Sequence, residues 1–421
     1  MKALRVTLWV LGGTLALMLC ALAAIYLIAK AVLAPLPGEW SVPLGTGQLQ
    51  LQAGVPSLVR LATSPWAGPL LHGRSISTRA GRIEAAWQAA DQTLALRCVP
   101  CRVQAPRLGN DALQLGEVQL TVRRHADRLD GELTSGALRA TWQGQLSQRQ
   151  ISLQLQLPMT PIADGYALFA AAIAEVAQAR IDGRFALQAS VTLPGGNLKV
   201  VPQVEAFQVS GLGTEAFANA RSACSPRRSK LSTDSWLARA VVAAEDQRFF
   251  EHGGFDLHEL SAALSSQPDG PHANTRGAST LPQQLAKLLV TGSERSAVRK
   301  SRELLYAVEM EQTLGKPRML QLYLAHAPWG PGLCGAEAAS RHYFGRQAHQ
   351  LEATQAAWLA AMLHNPNVEA GRWAETGQIN VARTQWVLHG MRSLPRAERI
   401  RLADEVAKET QIKSTLTSAV T

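Results

Sequence analysis

The hydrophobic rhythm of the chain changes twice, and each change marks a boundary. Val6 to Ala29 carries no charge and is mostly Leu, Ala, Val and Ile. As a helix this run would reach about 36 Å, against about 30 Å for a bilayer core. Lys2 and Arg5 precede it and Lys30 follows. A cleavable signal peptide has an apolar core of about 7–15 residues, so the pattern predicts an uncleaved transmembrane helix. Leu19, not a small residue, precedes Cys20, which argues against lipoprotein processing. The basic N-terminus predicts a cytoplasmic start, with the remainder outside the membrane. The first segment is therefore 1–38: cytoplasmic N-terminus, anchor, and an exit linker at Pro35-Leu-Pro-Gly.

Over 39–212 the pattern becomes period two. Gln48-Leu-Gln-Leu-Gln, Ile151-Ser-Leu-Gln-Leu-Gln-Leu, Phe185-Ala-Leu-Gln-Ala-Ser-Val and Leu198-Lys-Val-Val-Pro-Gln-Val all alternate. Alternation of this kind predicts half-buried antiparallel strands, hence a β-rich extracytoplasmic domain. One helix is expected inside it, from Ile162 to Ile181, on an Ala-rich apolar stripe. No catalytic constellation stands out there, which suits a spacer or interaction domain. A basic linker follows over 213–232, with Arg221 to Lys230 its most charged part. It reads as a solvated boundary or as a segment touching anionic headgroups, where each basic residue contributes about 1 kcal/mol.

From 233 the period becomes helical. Thr233-Asp-Ser supplies N-cap candidates before Trp236-Leu-Ala-Arg-Ala-Val-Val-Ala-Ala. Pro317 is placed to open a helix at its first position, and Trp329-Gly-Pro-Gly is a tight turn. No convincing strand series appears, so 233–370 is expected to be mostly α. A C-terminal helical tail, 371–421, ends in one charged helix from Pro395. About 55 residues follow Pro366, too few for a second catalytic domain of ordinary size.

Composition narrows the partners. The net charge is +10 and the pI about 9.7, a balance suited to nucleic acid, anionic lipid or phosphate-bearing substrates. Aromatics are only 5 %, and neither zinc-finger spacing nor an aromatic RNA-binding motif is present, so nucleic acid is not expected. Of the five cysteines, Cys98 and Cys101 form a C-x-x-C with strand-like flanks on both sides. Redox chemistry would need a helix N-terminus after a strand. A disulfide-bonded structural pair and inert thiols are the readings that remain ahead of redox or metal chemistry.

Four clusters carry candidate chemistry. In the first, the apolar run ending at Val241-Val-Ala-Ala delivers Glu245 and Asp246, with Phe249, His252, Gly254 and Asp256 just beyond. A carboxylate at the mouth of an apolar wall is a candidate general base, because partial desolvation raises its pKa. In the second, Gly277-Ala-Ser-Thr-Leu-Pro-Gln-Gln-Leu-Ala-Lys, the side chains of Ser279, Thr280, Gln283, Gln284 and Lys287 would line a polar groove. In the third, Arg299-Lys-Ser-Arg-Glu, Arg299 and Glu303 share a helix face and Lys300 flanks them. The fourth runs from Met319-Leu-Gln-Leu-Tyr-Leu through the Trp329 turn to Tyr343-Phe-Gly-Arg. Taken singly, these read as a solvated helix end, a capped helix start, an exposed charged turn and helix packing.

Together, in this order and spacing, they resemble glycosyltransferase family 51, the peptidoglycan transglycosylases. That family carries E-D-x-x-F-x-x-H-x-G, G-G-S-T-I-T-Q-Q-L-x-K and R-K-x-x-E, then an I-L-E-x-Y-L-N helix and a Y-F-G-K segment. The WGPG turn looks like the monofunctional biosynthetic branch. The resemblance covers about Trp236 to Pro366 and leaves out the β-rich region. It implies a mostly helical, lysozyme-like domain that polymerises lipid II into glycan strands, with Glu245 as general base and undecaprenyl pyrophosphate as leaving group. Glu303 matches the second essential glutamate, positioning the donor or a divalent ion; no cofactor is required by the sequence, and Mg2+ or Mn2+ would suit that place. Asp246, Phe249, His252, Ser279, Thr280, Gln283, Gln284, Lys287, Arg299 and Lys300 are the expected substrate-binding and supporting residues. Lys287, Arg299 and Lys300 would meet the pyrophosphate as charge develops. Expected partners are lipid II, the lipid-linked glycan strand, membrane lipids, and cell-wall synthesis or division proteins. The expected location is the inner membrane, with a single span and a periplasmic catalytic domain. Leu257 to Leu264 and the loop Gln267 to Arg276 fall where the family has a membrane-facing segment.

The sequence departs from the family pattern at several positions. Pro282 stands for a Thr, Ala278 for a Gly, Gln321 for a Glu, and Ala325 and Leu288 for Asn. These departures keep alive an alternative: a catalytically weak or inactive relative that binds lipid II or glycan as a cell-wall scaffold. A glycan hydrolase, which also uses two carboxylates, is the further rival.

Overall fold

The computed structural model describes residues 34–44, 51–104, 112–170, 173–220, 231–265, 279–292, 296–378 and 380–418. The expected anchor, most of Gln48–Gln52, the segment Arg221–Lys230 and the loop Gln267–Arg276 lie outside the described residues. Among the described residues, no helix is long and apolar enough to cross a membrane.

The period-two region forms a nine-stranded antiparallel sheet. Its strands are β3 (Ser75–Thr78), β4 (Gly81–Gln88), β5 (Thr93–Val99), β8 (Val118–His125), β9 (Arg128–Ser135), β10 (Leu138–Leu146), β11 (Ile151–Pro161), β12 (Arg180–Leu193) and β13 (Asn197–Ser210), and the order is β13-β12-β11-β10-β9-β8-β5-β4-β3. The pairs β1 (Ser41–Leu44) with β2 (Leu51–Gly54), and β6 (Cys101–Gln104) with β7 (Ala112–Leu115), stand apart from it. Register explains the alternation. Trp142 pairs with Leu155 and Leu155 with Ala189, while Gln143 pairs with Gln154, Gln154 with Ser190 and Ser190 with Lys199. One face is thus apolar and the other a ladder of amides and hydroxyls. The apolar side is covered in part by α1 (Val55–Ala62) and α2 (Gly68–Leu71), which pack with Trp87, Leu94 and Leu146. Cys98 and Cys101 are joined by a disulfide.

The helix expected from Ile162 to Ile181 is not continuous. It is α3 (Ile162–Phe169) and α4 (Ala174–Gln178), and β12 begins at Arg180. Ala170 leaves helical geometry at φ −142°, and Ile181 is taken by the ladder, where it pairs with Val209. Pairing with β13 outweighs the local helical preference of the Ala-rich run.

The remainder is helical: α5 (Trp236–Glu245), α6 (Leu257–Leu264), α7 (Leu281–Ala286), α8 (Ala297–His326), α9 (Ala336–Phe344), α10 (Ala353–Met362), α11 (Pro366–Thr376), α12 (Val381–Gly390) and α13 (Arg396–Ser418). A short ribbon, β14 (Pro328–Gly330) with β15 (Leu333–Cys334), forms at the Trp329 turn. α8 is broken at Gly315, φ 70°, just before Pro317, so the proline sits in the first turn of a new segment, where its missing N–H costs nothing. The region 371–421, expected as a separate tail, shares the domain core. Val387, Leu388, Met391, Leu402, Ala403 and Val406 pack in one cluster with Leu237, Val241, Phe249, Leu285, Met310 and Leu359. The two domains are also joined: Ile162, Tyr166, Ile173 and Val209 bury Leu305 and Val308 of α8.

Candidate active site

Glu245 closes α5. Ser235 caps this helix by accepting from Ala238 N at 3.3 Å, and Leu237, Ala238, Ala240, Val241, Ala243 and Ala244 are all buried, so the helix runs through the core. Asp246, at φ −159°, ends it. The last helical side chain is therefore delivered to the edge of the core with little water around it. Glu245 Oε2 accepts from Gln284 Nε2 at 3.0 Å, and Oε1 is buried without a hydrogen-bond partner among the described residues. Burial pushes the Glu245 carboxyl above the ordinary carboxylate range; the Gln284 bond and the charges of Arg383 and His364 offset this in part. Gln284 is itself oriented, because its Oε1 accepts from the Tyr323 hydroxyl at 2.9 Å.

Asp246 holds the turn. Its Oδ2 accepts from Leu281 N at 2.9 Å, and His252 Nε2 lies 2.9 Å from Oδ1. His252 Nδ1 contacts Gly253 O. Both ring nitrogens face acceptors, an arrangement that favours the doubly protonated ring. Burial opposes that charge, but the Asp246 hydrogen bond and carboxylate outweigh it and raise the His252 pKa. Phe249 is fully buried in the core, with Lys316 Nζ 4.5 Å from its ring centre. Gly254 lies against the backbone of α8. A Cβ there would come within 2.5 Å of the Ala307 carbonyl. Thr280 Oγ1 donates to Gly254 O at 2.9 Å, tying the same turn to α7.

The second and third motifs line the same cavity as Glu245. Thr280 and Gln283 make a reciprocal capping box at the start of α7. Pro282 sits in that first turn, where a backbone donor is not needed, so this departure leaves the helix start intact. Ser296 caps α8 by accepting from Arg299 N at 3.0 Å. Glu303, only 1 % exposed at its side chain, is ion-paired through Oε1 to Arg299 and through Oε2 to Lys300, the latter at 2.9 Å. Lys300 also donates to Ser279 Oγ. Its side chain stays 37 % exposed. Burial, then the charges of Arg299 and Lys287, lower the Lys300 pKa to about 8.

A cavity of about 1330 Å³ brings these motifs together, lined among others by Glu245, Ser279, Gln284, Lys287, Lys300 and Glu303. Asp246, Thr280 and Arg299 also line it, whereas Phe249, His252 and Gln283 do not and serve as supports. Tyr323, His364 and Arg383 line it too, and sequence reasoning had not singled them out. Tyr323 stands inside a stretch that reads as helix packing. Arg383 lies in the expected tail; its Nη2 donates to Ala244 O at 3.2 Å and its guanidinium stacks 4.0 Å from the Trp386 ring centre. The site residues do not fit a resident divalent ion at Glu303. Both of its oxygens already face cations, which would repel a metal. Among the described residues, no group of three His, Cys, Asp or Glu could hold one.

The family model described as Transglycosylase matches residues 220–392. The biosynthetic peptidoglycan transglycosylase of Pseudomonas aeruginosa is 42 % identical over 167 residues, 39 % of this chain and 71 % of that relative. The chain belongs to the transglycosylase family. Biosynthetic peptidoglycan transglycosylases of Aeromonas hydrophila and Shewanella oneidensis are 49 % and 48 % identical over 130 residues, 31 % of this chain in each case. The chain spans about half the length of these two relatives, 54 % and 55 %. The family match begins beyond the nine-stranded sheet. It runs on through Arg383, in keeping with the single core that α12 shares with α5.

Proposed function

We propose that the protein is a monofunctional peptidoglycan glycosyltransferase that polymerises lipid II at the outer face of the cytoplasmic membrane. The carrying observation is the pairing of a desolvated carboxylate with a cluster of cations in one cavity. Glu245 is a desolvated carboxylate with an unengaged oxygen, and Lys287, Arg299 and Lys300 line the same cavity. Glu245 takes the proton of the acceptor sugar's 4-hydroxyl. The oxygen then bonds to the donor's anomeric carbon while the carbon–oxygen bond to the lipid pyrophosphate breaks, with inversion. The cations meet the charge that develops on the leaving pyrophosphate. Glu303 keeps Arg299 and Lys300 aimed, a role for a carboxylate already paired with both. The apolar run Val6 to Ala29 would hold the site beside a substrate that stays in the bilayer.

The test is direct. Labelled lipid II is incubated with the detergent-solubilised protein and with Glu245→Gln. Polymer from the first and not the second supports the reading. Binding without polymer sinks it and leaves the scaffold; shortening of pre-formed glycan points to a hydrolase.

A further inference from the structure

The β-rich domain grips α8 on the side turned away from the cavity. Arg302 Nη2 lies 2.6 Å from Glu175 Oε1, and Arg302 Nε donates to the same oxygen at 2.8 Å. The Tyr306 hydroxyl donates to it at 3.4 Å. The Tyr166 hydroxyl donates to Ser301 O at 3.2 Å. Leu305 and Val308 are buried among Ile162, Tyr166, Ala170, Ile173 and Val209. One turn on, Leu212 N donates to Glu309 Oε1 at 2.9 Å, and the Thr214 and Thr313 hydroxyls meet at 2.8 Å. At about 100° per residue, positions 301, 305 and 308 lie on roughly the opposite side of the helix from 299 and 303, with 302 and 309 on the flank between, and none of the five lines the cavity. The same domain also holds α6, which borders the cavity at His258 and Glu259. Ser261 Oγ donates to Val200 O at 2.6 Å, and Ser265 Oγ accepts from Val200 N at 2.9 Å.

We propose that the β-rich domain is a positioning domain for the pyrophosphate end of the cavity, and that Glu175 is its key positioning residue. Through Arg302 it fixes the roll and height of the first turns of α8. Arg299, Lys300 and Glu303 then reach the cavity together. Glu175 is buried and far in sequence from α8, so the contact couples a region outside the family match to the residues inside it. The segments that make it, α3 and α4, are the pieces into which the expected long helix is split. The inference rests on the proposed glycosyltransferase reading for its kinetic consequence, but not for its structural one.

The full chain is compared with Glu175→Ala, with the double swap Glu175→Arg/Arg302→Glu, and with Asp127→Asn, which removes an exposed ion pair elsewhere in the same domain. Two readouts are taken: lipid II polymerisation and amide exchange over residues 297–304. Glu175→Ala is expected to lower kcat about tenfold or more through misplaced cations, with KM less affected. Exchange at 297–304 should rise severalfold while α10 stays protected. The double swap should recover a substantial part of both, and Asp127→Asn should match wild type. Wild-type kcat and exchange in Glu175→Ala overturn the proposal. So does an equal rise of exchange throughout α10, which would mean a merely structural role. If wild type makes no polymer, the functional reading fails, and the exchange data still decide the coupling.

Discussion

Gln284 donates to Glu245 Oε2 at 3.0 Å, and this is the hydrogen bond that favours the charged form of the buried carboxylate. The amide can do this in one orientation only. The Tyr323 hydroxyl sets that orientation by donating to Gln284 Oε1. Replacing Gln284 by Leu removes the bond and leaves desolvation less opposed. The Glu245 pKa should then rise further, and the acid limb of the activity profile should move to higher pH. Tyr323→Phe should move it the same way by a smaller amount, with kcat lower by up to about 10²-fold if the base is mis-set. Profiles of kcat/KM against pH check both; an unmoved acid limb in Gln284→Leu would falsify the assignment of Glu245 as the base.

A second expectation concerns the alkaline limb. Lys300 has its pKa lowered to about 8, by burial first and then by Arg299 and Lys287. It carries charge below that value and loses it above. Activity that needs this cation should fall as pH rises through about 8, while the Glu245 limb falls as pH drops through a value above 4.5. Lys300→Arg keeps a permanent charge, so its residual activity should lack the alkaline limb. An identical alkaline limb in wild type and Lys300→Arg would assign that limb to another group.

Asp246 and His252 give a stability prediction. Both side chains are 5 % exposed, so Asp246→Asn removes one partner of a buried charge pair and should cost about 3–5 kcal/mol. The pH dependence follows from the raised His252 pKa. The pair contributes fully below 6.5, the unfolded value, and the contribution fades as pH rises through the folded value. Denaturant midpoints for wild type and Asp246→Asn should therefore differ most near pH 6 and converge toward pH 9. A gap that widens with pH contradicts the sign.

The adjacent glycines differ sharply. A Cβ on Gly254 would meet the Ala307 carbonyl at 2.5 Å, and both neighbours are backbone of α8 that cannot step aside. Gly254→Ala should cost about 1–3 kcal/mol and lower activity, because it pushes the Glu245 turn off α8. Gly253 has no atom within 4 Å of its Cβ position, and Gly253→Ala should be near neutral. Urea midpoints of the two variants decide this; equal midpoints would mean that the turn is not keyed to α8.

Local signals located the β-rich layer, the switch to helices near residue 233, a helix cap within Thr233-Asp-Ser and the helix restart at Pro317, because each rests on local geometry: side chains that alternate along a strand, a cap three residues from its donor, a ring that fixes φ. The ordered motifs likewise named Glu245, Gln284, Lys287, Arg299, Lys300 and Glu303, which the fold gathers around one cavity. Local signals could not reveal what depends on distant partners. The helix expected from Ile162 to Ile181 gave way because β13 claimed its end. Tyr323, His364 and Arg383 became part of the site only when α8, the turn between α10 and α11, and α12 closed around Glu245. Phe249 and His252, expected as binding or supporting residues, and Gln283 do not line the cavity, and the motif spacing that marks them cannot tell a side chain facing a cavity from one facing the core behind it. The burial of Glu245 itself was decided in tertiary structure. Its sequence neighbours supply an apolar helix, but α7, the second half of α8 and α12 exclude the water, and that exclusion makes an ordinary helix-end carboxylate a candidate base.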